Sequence, residues 1–250
     1  MAPNQMIKLS NNIAKMASSG DDTDESTELE SSESSPTTSV FTEDEEAESE
    51  LSHVVHGFPW GDLPTGTIVD VGGSHGHASF AIARQFPLVS SVVQDLQPII
   101  STAENSIPVD LTTRVKFMAH DLLAAQQPVV GADVYFFRGV FHNWSDQHAV
   151  EILRNQIPAL KHGARIVVHD GAVAPVKGGE EVSRIDMPPL SIDRTMAEMQ
   201  NSHVREMDDW AKLFADADSR FEFQGGQQPP ASNFWLVVAE WKGGESDVMT

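Results

Sequence analysis

The 250-residue chain contains no cysteine. That excludes a disulfide framework, a thiolate nucleophile and any cysteine-based zinc site, and it fits a reducing compartment. Basic residues are scarce as well: 16 Lys and Arg stand against 37 Asp and Glu, leaving a formal charge of −21. Such a chain repels nucleic acid and anionic membrane, so neither is expected as the main partner. No apolar run approaches the roughly 20 residues that span a bilayer. Residues 1–20 hold scattered apolar positions (Met6, Ile7, Leu9, Ile13, Met16) without the continuous stretch of a secretory signal. A soluble, cytoplasmic protein is the expectation.

What the chain has in abundance is acid, concentrated in one place. Residues 21–50 contain thirteen Asp or Glu and no Lys or Arg, with Ser and Thr filling most of the rest. Such a composition buries too little apolar surface to offset chain entropy. Residues 1–51 are therefore read as a disordered acidic segment, either a solvated tail or a docking segment for a basic partner. Residues 52–243 form the expected folded domain, and 244–250 a disordered tail.

Within that domain the pattern is α/β. Thr67–Val71 is a short β-branched run ending in glycines and reads as a buried strand. Ala78–Phe86 has helical spacing and is closed by Pro87. Ser90–Leu96, Val115–Leu122, Ala132–Arg138 and Ala164–His169 read as further strands. From Ser145 to Lys161, positions 149, 152, 153, 156 and 160 share one helical face, apolar except for Gln156. Ser145 is the expected N-cap of that helix and Gly163 its stop. Beyond Gly171 come a charged loop at 174–183, helices near 188–201 and 207–217, and a closing strand pair, Phe221–Phe223 and Asn233–Trp241. Strands alternating with helices predict a mainly parallel sheet covered on both faces.

The segment Asp70-Val-Gly-Gly-Ser-His-Gly-His77 follows the first strand directly. Gly72, Gly73 and Gly76 let the chain turn sharply and admit a ligand against the backbone without a Cβ in the way. The helix that follows offers unpaired N–H groups. Any dinucleotide-binding fold uses such a loop, and so do turns that bind nothing. Spacing narrows the choice. Asp95 ends the second strand, nineteen residues beyond Gly76, where a carboxylate accepts hydrogen bonds from ribose hydroxyls. Asp121 ends the third, within reach of an adenine amino group. With Asp70, these acids lie at the carboxyl ends of strands, where open α/β sheets bind ligands; three solvated loop aspartates would look the same. Leu96 and Leu122 follow the two acids and join the candidate set.

Arg138-Gly-Val-Phe-His-Asn-Trp-Ser-Asp146, taken with Val93-Gln-Asp-Leu96 and Asp70–Gly76, resembles the C-terminal domain of plant caffeate-type and fungal secondary-metabolite O-methyltransferases. The likeness covers roughly residues 52–242, with its motifs in the family's order. It implies a Rossmann-like class I methyltransferase sheet of seven strands, the last antiparallel, flanked by helices. It implies S-adenosyl-L-methionine (SAM) as cofactor, no metal, and a small hydroxylated molecule as substrate. By the same resemblance His142 is the general base, Arg138 contacts the cofactor, Trp144 packs near its adenine, and Asp170 orients His142. Chemistry supports the base: a neutral imidazole near pKa 6.5 suits removal of a hydroxyl proton at neutral pH. A carboxylate beside it would set the tautomer and stabilise the cation. The glycine spacing differs from the Gly-x-Gly-x-x-Gly of nicotinamide dehydrogenases, which ranks an oxidoreductase lower.

The chain departs from the family in three places. Asn143 replaces the Asp of its His-Asp-Trp sequence. In Asn201-Ser-His-Val-Arg-Glu-Met-Asp-Asp-Trp210, Val204 stands where the family has a Glu that supports the histidine. The family's winged-helix-like N-terminal dimerisation domain has no counterpart in the acidic first fifty residues, which leaves the oligomeric state open. Met187, Met196 and Met199 are either substrate-cleft or core residues. Two functions follow: an active O-methyltransferase of fungal secondary metabolism, or a non-catalytic, auxiliary or repurposed relative.

Overall fold

A computed structural model describes residues 51–64, 66–173, 205–230, 232 and 234–244, with only the backbone at 172 and 173. In chain order the strands are β1 (Thr67–Val71), β2 (Ser90–Asp95), β3 (Val115–Ala119), β4 (Val134–Arg138), β5 (Arg165–Asp170), β6 (Ala172–Val173), β7 (Arg205–Glu206), β8 (Phe221–Gln227) and β9 (Trp235–Trp241). The helices are α1 (51–57), α2 (His77–Gln85), α3 (Gln97–Ala103), α4 (Asp146–Gln156) and α5 (Met207–Ala217). Seven strands form one sheet in the order β3-β2-β1-β4-β5-β9-β8. The first five run parallel, and β9 enters antiparallel beside β5. The expected seven-stranded sheet, its last strand antiparallel and helices flanking it, is the one observed.

Side-chain alternation explains the two-faced core. Successive residues of a strand point to opposite faces. On β1 and β4, Val69, Tyr135 and Phe137 pack with Phe141, Ile152, Leu153, Trp210 and Phe214, which come from the α4 and α5 side. Their neighbours Ile68, Val134 and Phe136 pack on the other face with Val54, Phe58, Trp60 and Ile82. All of these large side chains are buried, each contributing roughly 1.5–3 kcal/mol by leaving water. Continuous apolar strands are what a parallel sheet covered on both faces requires.

Several boundaries differ from the sequence reading. β3 ends at Ala119 rather than Leu122, because the Asp121 carboxylate accepts the N–H groups of Leu123 (3.0 Å) and Ala124 (3.1 Å) and turns the chain away. Ser145 does precede α4, yet its hydroxyl pairs with the His148 ring (3.0 Å) instead of capping the helix. Pro158 tightens the end of that helix into a 3-10 turn at Ile157–Ala159. β8 runs on to Gln227 through a bulge at Phe223/Gly225, and β9 begins at Trp235 rather than Asn233. The small parallel ladder of β6 with β7 was not foreseen. Leu51, the last residue of the expected acidic segment, opens α1, while residues 1–50 of that segment, the loop at 174–183, the helix near 188–201, Val204, the three methionines and residues 245–250 of the expected tail lie outside the described residues. Among the described residues no helix is long and apolar enough to cross a membrane.

The sheet order reverses between β1 and β4. A crevice at the carboxyl ends of these two strands is where such sheets hold ligands. Asp70 lies near the end of β1, and Arg138 ends β4.

Candidate active site

The glycine loop is held by its own backbone. Gly72 and Gly73 both donate their N–H groups to the carbonyl oxygen of Gln94, at 2.8 and 3.0 Å. Gly72 has φ +75°, and a Cβ there would lie 2.9 Å from Val140 Cγ2. A Cβ on Gly73 would lie 2.6 Å from Asp70 Cγ, so any side chain would occupy the space above that carboxylate. Ser74 adopts the left-handed region too, at φ 49°, and its N–H donates to Asp95 Oδ2 at 3.0 Å. The other Asp95 oxygen accepts the Leu96 N–H at 2.7 Å, which brackets the loop to the end of β2. Gly76 completes the turn at φ +77°, against Phe117.

Asp70 lies beneath this loop, 1% exposed. Ser79 Oγ donates to its Oδ2 at 2.8 Å, while its Oδ1 is buried with no hydrogen-bond partner among the described residues. Burial pushes its pKa up to about 6, against the pull of Ser79 and Arg138. Burial also raises the Asp95 carboxyl, opposed by the Leu96 and Ser74 N–H groups. Asp70, Gly72, Gly73 and Arg138 line one cleft with Ser74, His75, His77 and Ala78. An anionic floor with an unsatisfied oxygen, roofed by glycine backbone, suits a ligand carrying an ammonium group next to a nucleoside. SAM is such a ligand.

At the other end, β4 delivers the chain into a 3-10 turn, Phe141–Asn143, that carries His142. Asp170, at the end of β5 and 1% exposed, serves that turn with both oxygens. Its Oδ1 is 2.8 Å from His142 Nδ1, and its Oδ2 accepts the N–H groups of Phe141 (2.8 Å) and His142 (3.2 Å). A carboxylate only accepts, so Nδ1 carries the proton and Nε2 is the basic nitrogen. The imidazole remains 27% exposed.

The sequence reading missed the residue that grips this turn from behind. Arg205, 1% exposed, donates to the carbonyl oxygens of Phe141 (2.9 Å) and Trp144 (2.7 Å) and to Asp146 Oδ1 (2.9 Å). Its guanidinium also faces the Trp210 ring at 5.5 Å. Arg205 belongs to a motif already noted, but only the β6–β7 ladder brings it to the histidine turn. Trp144 is partly buried against the α4 side, its ring 5.8 Å from that of His148. Asp121 is exposed and does not line this cleft, and Leu122 approaches the glycine loop near Gly72. Among the described residues no group of three or more His, Asp or Glu is arranged to hold a metal ion.

Comparison with known proteins agrees with this geometry. A family model described as an O-methyltransferase domain matches residues 37–220. The grayanic acid biosynthesis cluster O-methyltransferase of Cladonia grayi is 41% identical over 192 residues, covering 76% of this chain and 42% of that protein. The chlorophenol O-methyltransferase of Trichoderma longibrachiatum is 39% identical over 182 residues, covering 72% and 38%. This chain therefore spans about two-fifths of the length of these curated relatives. Among solved structures, LepI in complex with SAM matches at TM-score 0.59 and 27% identity, covering 76% of this chain and 46% of that one. A pericyclic reaction enzyme matches with the same TM-score, identity and coverage.

Proposed function

This chain belongs to the O-methyltransferase domain family, and from that premise we propose that it transfers the methyl group of SAM to a hydroxyl of a small aromatic or polyketide-like secondary metabolite, with His142 as general base. The observation that carries this reading is the 2.8 Å pair between His142 Nδ1 and Asp170 Oδ1. With its proton held at Nδ1, the ring takes the acceptor's hydroxyl proton at Nε2, and Asp170 stabilises the resulting cation. SAM supplies the methyl group as an electrophilic sulfonium; the O–C bond forms as the S–C bond breaks. General-base assistance of this kind is worth on the order of 10²–10⁴-fold, with alignment of the two reactants contributing much of the rest.

The reading assigns the amino-acid end of the cofactor to Asp70, for its ammonium, and Arg138, for its carboxylate, its main-chain cradle to Gly72, Gly73 and Gly76, its ribose to Asp95 and Leu96, and its adenine to Asp121 and Leu122. Metabolite methylation is supported by the named activities of the fungal relatives, one of them a chlorophenol O-methyltransferase.

Calorimetric titration with SAM tests the cofactor site. We expect binding that Asp95→Ala weakens severely, followed by transfer of labelled methyl to phenols that His142→Ala abolishes. Absence of SAM binding by the full chain, or transfer that survives His142→Ala, would sink the proposal. One observation keeps a second reading: the pericyclic reaction enzyme shares this fold. In that reading SAM binds and its methyl group stays in place, so binding without S-adenosylhomocysteine (SAH) formation across a phenol panel would favour it.

A further inference from the structure

Three glutamines are buried away from the His142 chemistry: Gln94 on β2, Gln127 in the connection after β3, and Gln156 at the end of α4, exposed by 0%, 4% and 0%. A buried amide without partners destabilises by about 1–3 kcal/mol, so such residues persist where they satisfy one another. Here they do. Gln94 and Gln127 form a reciprocal pair, each side-chain nitrogen donating to the other's oxygen at 2.8 Å. Gln127 Nε2 also donates to Gln156 Oε1 (3.0 Å), and Gln156 Nε2 donates to the Ile152 carbonyl (3.0 Å). Gln127 Oε1 accepts the N–H of Val129 at 3.0 Å.

The neighbouring side chain on α4 joins in. Asn155 Nδ2 donates to the carbonyl oxygens of Leu122 (3.1 Å) and Leu123 (3.0 Å), and the Asn155 carbonyl accepts the Gln127 N–H (2.9 Å). The connection at 121–129 is thus tied to β2 and α4 by side-chain amides. Gln94 has a second role through its main chain, since its carbonyl oxygen receives the N–H groups of both Gly72 and Gly73. One residue therefore holds the glycine loop with its backbone and the connection after β3 with its side chain. Leucines of similar volume would fill the same space without linking anything, so the amides serve a purpose beyond packing.

We propose that Gln94, Gln127, Gln156 and Asn155 are positioning residues that set the adenine side of the cleft, Asp121 and Leu122, at a fixed distance from the glycine loop. The inference rests on the reading above that this cleft takes SAM with its adenine at Asp121. It also accounts for the glutamine in Val93-Gln-Asp-Leu96, which has no part in the chemistry itself.

The test uses the full chain and two probes, SAH and S-inosylhomocysteine, which lacks the adenine amino group. Asn155→Ala is the first variant: alanine favours the helix, and the Leu122 and Leu123 carbonyls, on half-buried residues, can turn to water. The second replaces Gln94, Gln127 and Gln156 together by Leu, so that none of the three side-chain amides is left facing a lost one, while the Val129 N–H and Ile152 carbonyl lose a side-chain partner. Thermal unfolding confirms that each variant is folded. We expect wild type to prefer SAH over the inosine analogue by about tenfold or more, and both variants to lose about tenfold in SAH affinity and most of that preference. A folded variant with wild-type affinity and preference overturns the inference, as does an equal loss for both probes, which would reflect general loosening of the cleft. Failure of wild type to bind either probe would instead overturn the cofactor reading, and the inference with it.

Discussion

The two ends of the candidate site, the glycine loop and the His142 turn, are built by different means. The glycine loop owes its shape to conformation: two glycines, Gly72 and Gly76, and Ser74 at positive φ, with main-chain N–H groups converging on Gln94 and Asp95. The His142 turn owes its shape to buried charge brought from far along the chain, Asp170 on one side and Arg205 on the other. A cradle for a nucleoside needs backbone without side chains, whereas a base must have its ring orientation and tautomer imposed. Conformational freedom belongs to single residues and is legible locally; electrostatic support is a property of the folded chain.

If the ends are separable, damage to one should leave the other intact. The largest effect is expected from His142→Ala, which should lower methyl transfer by about 10³-fold while SAH affinity, measured by calorimetry, stays within about twofold. A matching loss of affinity would break the comparison. Next comes Asp95→Ala, which removes the bracket on Ser74 and Leu96. SAH affinity should fall about 100-fold, roughly 2.7 kcal/mol, with the His142 imidazole resonance unmoved in NMR.

Arg205→Met sharpens the comparison from the chemistry side. It removes the guanidinium donor of the Trp144 carbonyl and leaves the Phe141 carbonyl with the Trp144 N–H alone, while Asp146 is exposed enough to be solvated. Unfolding free energy should drop by about 2 kcal/mol in denaturant titration, with SAH affinity unchanged. An affinity loss equal to that of Asp95→Ala would show that the turn also shapes the cofactor end.

The smallest effect tests the floor of the cofactor end. The Asp70 pKa rises from 3.8 to about 6 on folding. The folded chain then keeps a proton that the unfolded chain has lost. The group's contribution to stability is present below about pH 4 and disappears as pH rises through about 6. Binding of an ammonium group runs the other way, since it needs the carboxylate. SAH affinity should decline about tenfold from pH 7 to pH 5, and Asp70→Asn should bind weakly with a flat profile. A wild-type profile as flat as that of the variant would remove Asp70 from the site.

Much of the fold was legible because its signals are local. Thr67–Val71 announced β1 by β-branching and the glycines that follow it, and 207–217 matched α5 at both ends. Errors gathered where a side chain outside the pattern decided the outcome. Asp121 ended β3 early by capping the next turn, and Gln156 interrupted an apolar helix face that folding nonetheless buried. The partners of Gln156, Gln127 and the Ile152 carbonyl, are invisible in a helical projection.

By itself, then, the sequence determined the alternation of strands and helices, the glycine turn and the identity of the acids at strand ends, since backbone preference and period-two burial act over a few residues. The tertiary structure alone decided which charges meet. Asp170 reaches His142 across 28 residues, Arg205 reaches Phe141 across 64, and Gln94 reaches Gln127 across 33. Such contacts depend on sheet order and crossover path, and a buried charge or amide is tolerated only where the finished fold supplies its partner.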